Sequence, residues 1–333
     1  MSPAVRQETE TRTSDSDRPL GFLHDRGAVG EDGPAAADAH ALKPLQFDRV
    51  LDAVAGLACT PLGADAVRAL IPRSVPVGDR PARDAVIAEH GRVGAMRRIV
   101  TSEDGWPAQP IPPIFAALSR LEVPGAVWTA AELRQAITLL ASSRAQLGAF
   151  RATRSRDIDV GALDAMARAL VSDVALEQAL DRVVDEAGEV RDGASPDLRK
   201  IRKQLRGAEA DLIRLLERVI AKLDPHHRVD DASVTMRNGR WVVPVRREGR
   251  NALGGIVHDT SQTGATVFVE PPAAVEFGNR IRELEHAEIR ELDGILAETT
   301  DALRPKAVDL VETLHALVAL DSLVARARFA ERY

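Results

Sequence analysis

The sequence is poor in the features that mark cross-linked or membrane-spanning proteins. It has one cysteine, Cys59, among 333 residues, which excludes an internal disulfide framework and is typical of a reducing compartment. No apolar run approaches the roughly 18 residues of a membrane span, and the N-terminus has no signal-peptide apolar core. We therefore expect a cytoplasmic protein that is not bound to a membrane.

Aromatic residues are also scarce, at 3% of the chain, whereas Ala, Leu, Val and Arg are abundant. This composition favours helices over a β-sandwich or a β-barrel. With 45% hydrophobic residues, the chain has enough apolar material for one large or two moderate domains. We predict a mainly α fold.

Motifs of nucleotide, metal and hydrolytic sites are missing. The sequence has no GxxxxGK(S/T) motif and no Gly-rich loop between a strand and a helix. His226 and His227 lack nearby partners for a metal, because the only cysteine is far away in sequence. His258, Asp259 and Ser261 have the residue types of a hydrolytic triad, but adjacent strand residues point to opposite faces. We expect no catalytic residue, no bound cofactor and no metal site.

Helical periodicity begins at about residue 42. Residues 1–41 are rich in Asp, Glu, Ser, Thr, Gly and Ala without an apolar period, which predicts a disordered tail. Residues 42–194 predict a helical core, and residues 304–333 predict a strongly apolar helix that packs back into it. The predicted core is therefore discontinuous in sequence, with residues 195–303 as an insertion.

The insertion predicts a long antiparallel helical arm. Ser195 and Pro196 make a good helix start, with an N-cap hydroxyl and a proline at the first helical position. An outgoing helix is predicted for residues 195–223 and a returning helix for residues 273–303. The outgoing helix is basic and the returning helix is acidic. Opposite flanking charges favour pairing of two such helices, as in a coiled coil.

Residues 224–272, between the two helices, predict a small four-stranded antiparallel sheet at the tip of the arm. Asn238 and Gly239 tolerate the positive φ of a type I′ turn, so residues 234–237 should pair with residues 240–245. Pro244 cannot donate a ladder hydrogen bond, so we expect its strand at an edge or with its N–H side toward solvent. The other predicted strands are residues 256–259 and 265–269, with turn glycines Gly254, Gly255 and Gly264.

Basic residues concentrate near this predicted sheet. The net charge is −6, yet residues 196–250 carry fourteen Lys and Arg against eight Asp and Glu. Cations that neutralise phosphates release counterions and need no sequence reading. The alternative is a solvated strand edge whose charge prevents aggregation. With Trp241 as the one aromatic residue among them, a base-stacking platform is not expected. The candidate nucleic-acid-binding residues are Arg237, Arg240, Arg246, Arg247 and Arg250.

The run GGIVHDTSQTGATVFVEP, preceded by TMRNGRWVVPV, resembles the clamp region of the bacterial MutS type-two family, which is distinct from mismatch-repair MutS. The resemblance covers about residues 45–333 and includes LQFDRVLDAVAGLACTPLGADAVRALIP and HALVALDSLVARARFAERY. It implies that this chain corresponds to the helical core, lever and clamp of that family. It implies ATP and magnesium only for an ATPase domain, which we do not find here, and neither do we find the family's small nuclease domain.

On this resemblance we expect a DNA-binding module, related to DNA repair and recombination-control proteins, that is not an enzyme by itself. Its implied partners are DNA, including branched DNA, and a downstream ATPase polypeptide, since the sequence ends where the family's ATPase would begin. One alternative is a fragment of a ribosome-associated quality-control factor that meets ribosomal RNA. Another is a non-catalytic interaction or regulatory protein, in which the arm forms a homodimer or competes for the partner of an intact relative.

Phe268 and Glu270 superficially match the Phe-x-Glu wedge of mismatch-repair MutS. That wedge belongs to a separate N-terminal domain with no counterpart in this sequence. We therefore expect Phe268 to serve packing and Glu270 to make a contact at the end of its strand or at the start of the following helix.

Overall fold

A computed structural model describes residues 46–71 and 78–333. The predicted disordered tail lies outside these residues. The chain divides into two compact units. Of the described residues, the first unit comprises 46–71, 78–181 and Thr300–Tyr333, and the second comprises Arg182–Thr299. In sequence, the second unit is an insertion in the first.

Helices dominate both units, and one small sheet lies in the second, which confirms the predicted fold class. In chain order the elements are α1 (Phe47–Ala55), α2 (Pro61–Arg68), α3 (Arg80–Val100), α4 (Phe115–Leu121), α5 (Ala130–Arg154), α6 (Asp164–Arg168), α7 (Val174–Val183), α8 (Pro196–Lys222), β1 (Thr235–Arg237), β2 (Arg240–Arg246), α9 (Arg250–Leu253), β3 (Ile256–Thr260), β4 (Thr266–Glu270), α10 (Pro272–Leu303) and α11 (Ala307–Arg332). Short 3-10 turns occupy Gly161–Leu163, Arg247–Gly249 and Arg304–Lys306.

Helix α11 is the centre of the first unit. Thirteen residues of this 26-residue helix are buried, and it packs against α1 to α6. A helix that is apolar on most of its circumference belongs in a core, because a surface helix has only one apolar stripe. The predicted return of the final helix to the core is therefore the observed arrangement.

A buried carboxylate joins α11 to the start of α2. Asp321 accepts hydrogen bonds from the backbone N–H groups of Cys59 and Thr60, both at 2.8 Å, and from the Thr60 hydroxyl at 2.6 Å. Thr60 is in turn the N-cap of α2, where its Oγ1 accepts from the Gly63 N–H at 3.1 Å. Hydrogen bonds to a charged acceptor are stronger than neutral ones, so this contact fixes the two helices together. Burial raises the pKa of the Cys59 thiol.

Arg304 fixes the turn that follows α4. Its Nη1 donates to the carbonyl oxygens of Leu121 and Val123, at 2.6 and 2.7 Å, and its Nη2 donates to that of Ala126 at 2.6 Å. The last carbonyls of a helix have no partner within the helix. Arg304 therefore supplies donors that α4 and its turn lack.

In the second unit, α8 and α10 form the predicted antiparallel pair. Near the start of α8, the Ser195 hydroxyl donates to Glu291 at 2.7 Å, and Arg202 forms an ion pair with Glu288 at 2.7 Å. Near the sheet, Leu212 and Leu216 share an apolar cluster with Ile281 and with the inner face of the sheet. Two other charged side chains of α8 do not pair with α10. Arg206 pairs with Asp192, and Arg214 pairs with Asp211 on its own helix.

The contacts of Arg202 at the α8–α10 interface favour its charged form. Burial alone would lower its pKa, but hydrogen bonds and charge from Glu288 and Asp192 outweigh burial, so the pKa of Arg202 is raised. The hydrogen bond from Arg202 is likewise the largest cause of the lowered pKa of Asp192. Each group therefore stabilises the ionised form of its partner.

The sheet has the order β1-β2-β4-β3, and all its pairs are antiparallel. The edge position, one of the two alternatives expected for Pro244, is wrong because β2 lies inside the sheet. On one side β2 pairs with β4 through Val243–Val269 to Arg246–Thr266. On the other side β1 ends opposite Val242, and pairing resumes only where the Arg246 N–H donates to the His227 carbonyl. Pro244 occupies the gap, where no donor is needed.

Candidate nucleic-acid interface

The β1–β2 hairpin is bent over the outer face of the sheet. Its turn residues, Asn238 and Gly239, have φ of 52° and 71°, the positive values that a type I′ turn requires. The Asn238 side chain donates to the carbonyl of His258, at 2.8 Å, in β3. Because β1 and β3 are the two outermost strands, this contact brings opposite edges of the sheet together.

A buried carboxylate lies beneath the bent hairpin. Glu270 is 2% exposed. One of its oxygens lies 2.7 Å from Nε2 of His258, and the other lies 3.3 Å from Nη1 of Arg240. Arg240 also donates to the side-chain oxygen of Asn279 in α10, at 3.2 Å. A buried charge is stable only when it is paired and hydrogen-bonded, so Glu270 requires both His258 and Arg240.

Gly278 makes room for this cluster in the first turns of α10. A Cβ at this position would lie 2.8 Å from Nη1 of Arg240 and 3.1 Å from Oε1 of Glu270. Of the five candidate arginines, Arg240 is therefore committed to an internal contact. It has little capacity for a phosphate.

Arg237 is also engaged within the β tip, which we define as residues 235–270. Its guanidinium lies 4.5 Å from the centroid of the Phe268 ring and 3.3 Å from the Asp259 carboxylate. Stacking on the ring and pairing with the carboxylate both hold the hairpin down. Arg237 remains partly exposed, so a phosphate would have to compete with Asp259.

Arg246 is held less firmly by other residues than Arg237 and Arg240 are, but it is not free of partners. Its Nε donates to the carbonyl of Arg228 at 3.0 Å, and its Nη2 lies 3.6 Å from the exposed carboxylate of Asp230. About half of its side chain is exposed, at 48%. An ion pair with so exposed a carboxylate contributes little free energy and can be exchanged for another anion.

Arg247 and Arg250 are the exposed cations of the β tip that have no carboxylate partner among the described residues. They lie in the 3-10 turn and the short helix α9 that follow β2. Neither forms an ion pair with any carboxylate in the ranges 46–71 and 78–333. Their backbone is held in place: the Arg247 N–H donates to Ala265 at 3.0 Å, and a Cβ on Gly249 would lie 2.5 Å from Cβ of His227. This segment therefore presents two unpaired guanidinium groups from a fixed backbone.

His258, Asp259 and Ser261, which have the residue types of a hydrolytic triad, each contact a different partner. His258 contacts Glu270, Asp259 contacts Arg237, and the Ser261 hydroxyl accepts from the Thr266 N–H at 3.1 Å. A bulge between Val257 and Asp259 allows His258 to reach Glu270. Within the described ranges, no cluster of three His, Cys, Asp or Glu side chains could hold a metal ion.

Sequence reasoning missed Glu270 and Asn279 as partners of the arginines. The isolated sequence gives no signal for this cluster, since it depends on the bulge and on the folding of the hairpin. The sequence predicts Gly255 as a turn glycine. Its φ is 99°, and a Cβ there would lie 2.1 Å from the carbonyl oxygen of Glu270, so the glycine permits close approach of two backbones.

The two units define a mainly α protein with an inserted helix–sheet–helix unit and a cation-bearing tip. The chain is similar to Endonuclease MutS2 of Gemmatimonas aurantiaca, with 53% identity over 293 residues, or 88% of this chain and 35% of that protein. It is 34% identical to Endonuclease MutS2 of Geobacillus thermodenitrificans over 87% of this chain and 36% of that protein. It is 32% identical to the Putative endonuclease MutS2 of Bacillus subtilis, with the same coverage. No protein-family model matches the chain.

The chain therefore belongs to the MutS2, or MutS type-two, family, as its resemblance implied. It spans about a third of the length of these curated relatives. Among the described residues, no helix combines the length and the apolar character needed to cross a membrane.

Proposed function

We propose that this chain is a DNA-holding module of a MutS2-type protein, and that its β tip contacts the phosphate backbone without reading sequence. The observation that carries this proposal is the pair of exposed, unpaired cations, Arg247 and Arg250, on a fixed backbone. Bringing an unpaired surface cation to a phosphate breaks no existing ion pair, whereas Arg240 would have to leave Glu270. The relatives carry the name endonuclease, which indicates a nucleic acid as their substrate.

The proposed module acts on DNA by binding and not by catalysis. The chain covers 35% of the Gemmatimonas relative, and the sequence has no phosphate-binding GxxxxGK(S/T) loop. We therefore assign ATP, magnesium and DNA cleavage to regions of a MutS2-type protein outside this chain. Those regions would act on DNA that this module holds.

Salt-dependent binding of the full chain to a duplex of mixed sequence tests the proposal. If Arg247 and Arg250 each neutralise one phosphate, the double variant R247A/R250A should lower the slope of log K against log salt by about 1.8. Affinity should fall equally for unrelated sequences, because phosphate contacts carry no sequence information. The measurement is fluorescence anisotropy at four or more salt concentrations.

A matched control is R80A/R83A, which removes two exposed arginines from α3 in the first unit. This control changes the net charge equally and should leave the slope unchanged. The same loss of slope in both variants would show that net charge alone causes the effect, and it would refute the tip contact. Tight binding to purified ribosomal RNA with no binding to duplex DNA would instead support the ribosome alternative.

A further inference from the structure

Cations without a carboxylate partner concentrate along α8. Among the described residues, most arginines of the first unit pair with a carboxylate, as Arg68, Arg97, Arg144 and Arg154 do. On α8, by contrast, Arg199, Lys200 and Lys203 are exposed and form no ion pair with any carboxylate in the described ranges. The protein has an excess of acidic groups, with net charge −6. Unpaired cations on neighbouring turns therefore create a local positive potential on a chain whose net charge is negative.

These cations belong to a longer row. Successive positions on an α-helix are 100° apart, so residues three, four or seven apart share a face. By this rule most basic side chains of α8 lie away from its buried residues, Leu198, Leu212 and Leu216. Arg202 is the exception, because it pairs with Glu288 of α10. We call the row the basic ridge: Arg199, Lys200, Lys203, Arg206, Arg214 and Arg218. Two arginines of the ridge already have partners, since Arg206 pairs with Asp192 and Arg214 pairs with Asp211. The exposed carboxylates Asp211 and Glu217 interrupt the ridge toward its C-terminal end.

The ridge leads toward the arginines of the β tip. Helix α8 ends at Lys222, and six residues later the carbonyl of Arg228 accepts from Nε of Arg246 at 3.0 Å. Arg247 is the residue after Arg246, and Arg250 begins the next helix, α9. The ridge and the β tip are thus parts of the same compact unit, joined by a short, hydrogen-bonded segment.

We propose that the basic ridge is a second contact surface for duplex nucleic acid, which lies along α8 with its phosphate backbone facing the helix. The row from Arg199 to Arg218 is about 28 Å long at 1.5 Å per residue. A duplex carries one charge per roughly 1.7 Å of its axis, so about 16 phosphate charges fall within this length. A straight row of cations without interleaved aromatic side chains suits a phosphate backbone better than unstacked bases. This inference concerns other residues than the proposed tip contact and can hold or fail separately.

The test is the salt dependence of the full chain binding a 30-base-pair duplex, with Arg199→Gln, Lys200→Gln and Lys203→Gln combined in one variant. Glutamine is a good helix former, so α8 should keep its helicity, which circular dichroism checks. If each of the three cations neutralises a phosphate, the slope of log K against log salt should fall by about 2.7, and affinity at 0.1 M salt should fall on the order of 10²-fold.

Two controls separate ridge contact from net charge and from folding. The variant R80Q/R83Q/R151Q removes three exposed arginines of the first unit and should keep the slope of the parent chain. The variant Lys200→Arg and Lys203→Arg keeps the charges and should bind like the parent. A ridge variant that loses helicity is replaced by the single change Lys203→Gln, for which the expected decrease in slope is about 0.9.

The outcomes distinguish this inference from the proposed tip contact. If the ridge variant keeps its slope while R247A/R250A loses slope, the ridge is only a solvated helix face and the inference is wrong. If the ridge variant loses slope and the tip variant does not, the inference stands and the tip contact fails. Loss of binding to phosphatidylserine vesicles, with duplex binding unchanged, would assign the ridge to a different anionic surface and also overturn the inference.

Discussion

Helices α11 and α8 are nearly equal in length, yet they are stabilised in different ways. Thirteen of the 26 residues of α11 are buried, whereas α8 has three buried residues, Leu198, Leu212 and Leu216, among 27. Most of the stability of a helix in a protein comes from burial of its apolar face, and little comes from propensity. The first unit therefore has a deep apolar core, while the second keeps most of its helix surface in solvent, where its cations are available to a partner.

The largest expected effect is on the core of the first unit. Leu314→Ala in α11 should lower the free energy of unfolding by about 3 kcal/mol or more, since the side chain is fully buried. Leu216→Ala in α8 removes an equally buried side chain but should act on the second unit. Hydrogen exchange followed by mass spectrometry separates the two results.

The contrast between α11 and α8 predicts that the two variants speed up hydrogen exchange in different regions of the chain. With Leu314→Ala, peptides from α1, α2, α3 and α11 should exchange faster. With Leu216→Ala, faster exchange should be confined to α8, α10 and the sheet. Equal acceleration throughout the chain in both variants would show that the units unfold together, and the contrast between them would have no energetic meaning.

The next effect concerns the charge cluster that supports the β tip. Glu270→Gln keeps the shape of the side chain but removes the charge shared by Arg240 and His258. We expect a loss of about 1 to 3 kcal/mol, because two donors lose a charged acceptor in a buried setting. The measurement is hydrogen exchange of peptides from β2, β3 and β4, which reports the free energy of opening of the sheet.

Glu283→Gln is the matched control for this change. Glu283 pairs with Arg280 on the surface of α10 and is 68% exposed, so its neutralisation should change stability by less than about 0.5 kcal/mol. Comparable losses in the two variants would mean that burial gives Glu270 no special role.

The smallest expected effect distinguishes two glycines of the arm. A Cβ on Gly207, in the middle of α8, would meet no atom within 4 Å. Gly207→Ala should therefore stabilise the second unit by about 0.5 to 1 kcal/mol through helix propensity. Gly278→Ala offers the same gain in propensity but crowds Arg240 at 2.8 Å, so it should destabilise the unit. Thermal unfolding of both variants tests this, and equal stabilisation would contradict the packing argument.

The sequence predicted the sheet because its signals are local. Asn238 and Gly239 specify a hairpin by their own backbone preferences, and β2 alternates as a strand should. The edge alternative for Pro244 is wrong because its neighbours come from two separate segments, β1 and the residues around Arg228. No local pattern records that change of partner.

The candidate site was less predictable than the fold. Five arginines near one sheet look equivalent in sequence, yet Arg237 and Arg240 contact Asp259 and Glu270, while Arg247 and Arg250 have no such partner among the described residues. The difference depends on which carboxylates the bent hairpin brings close. Local sequence carries no signal for it, and the predicted contacts with phosphate stay a prediction for all five.

The anchoring of Cys59 has a practical consequence. Its backbone is tied to Asp321, its Sγ lies 3.3 Å from Arg328, and burial raises the pKa of its thiol. A thiol that stays protonated reacts slowly with alkylating reagents, since the thiolate is the nucleophile. Because the chain has one cysteine, its rate of modification by a maleimide would report separation of α2 from α11 with no engineered label.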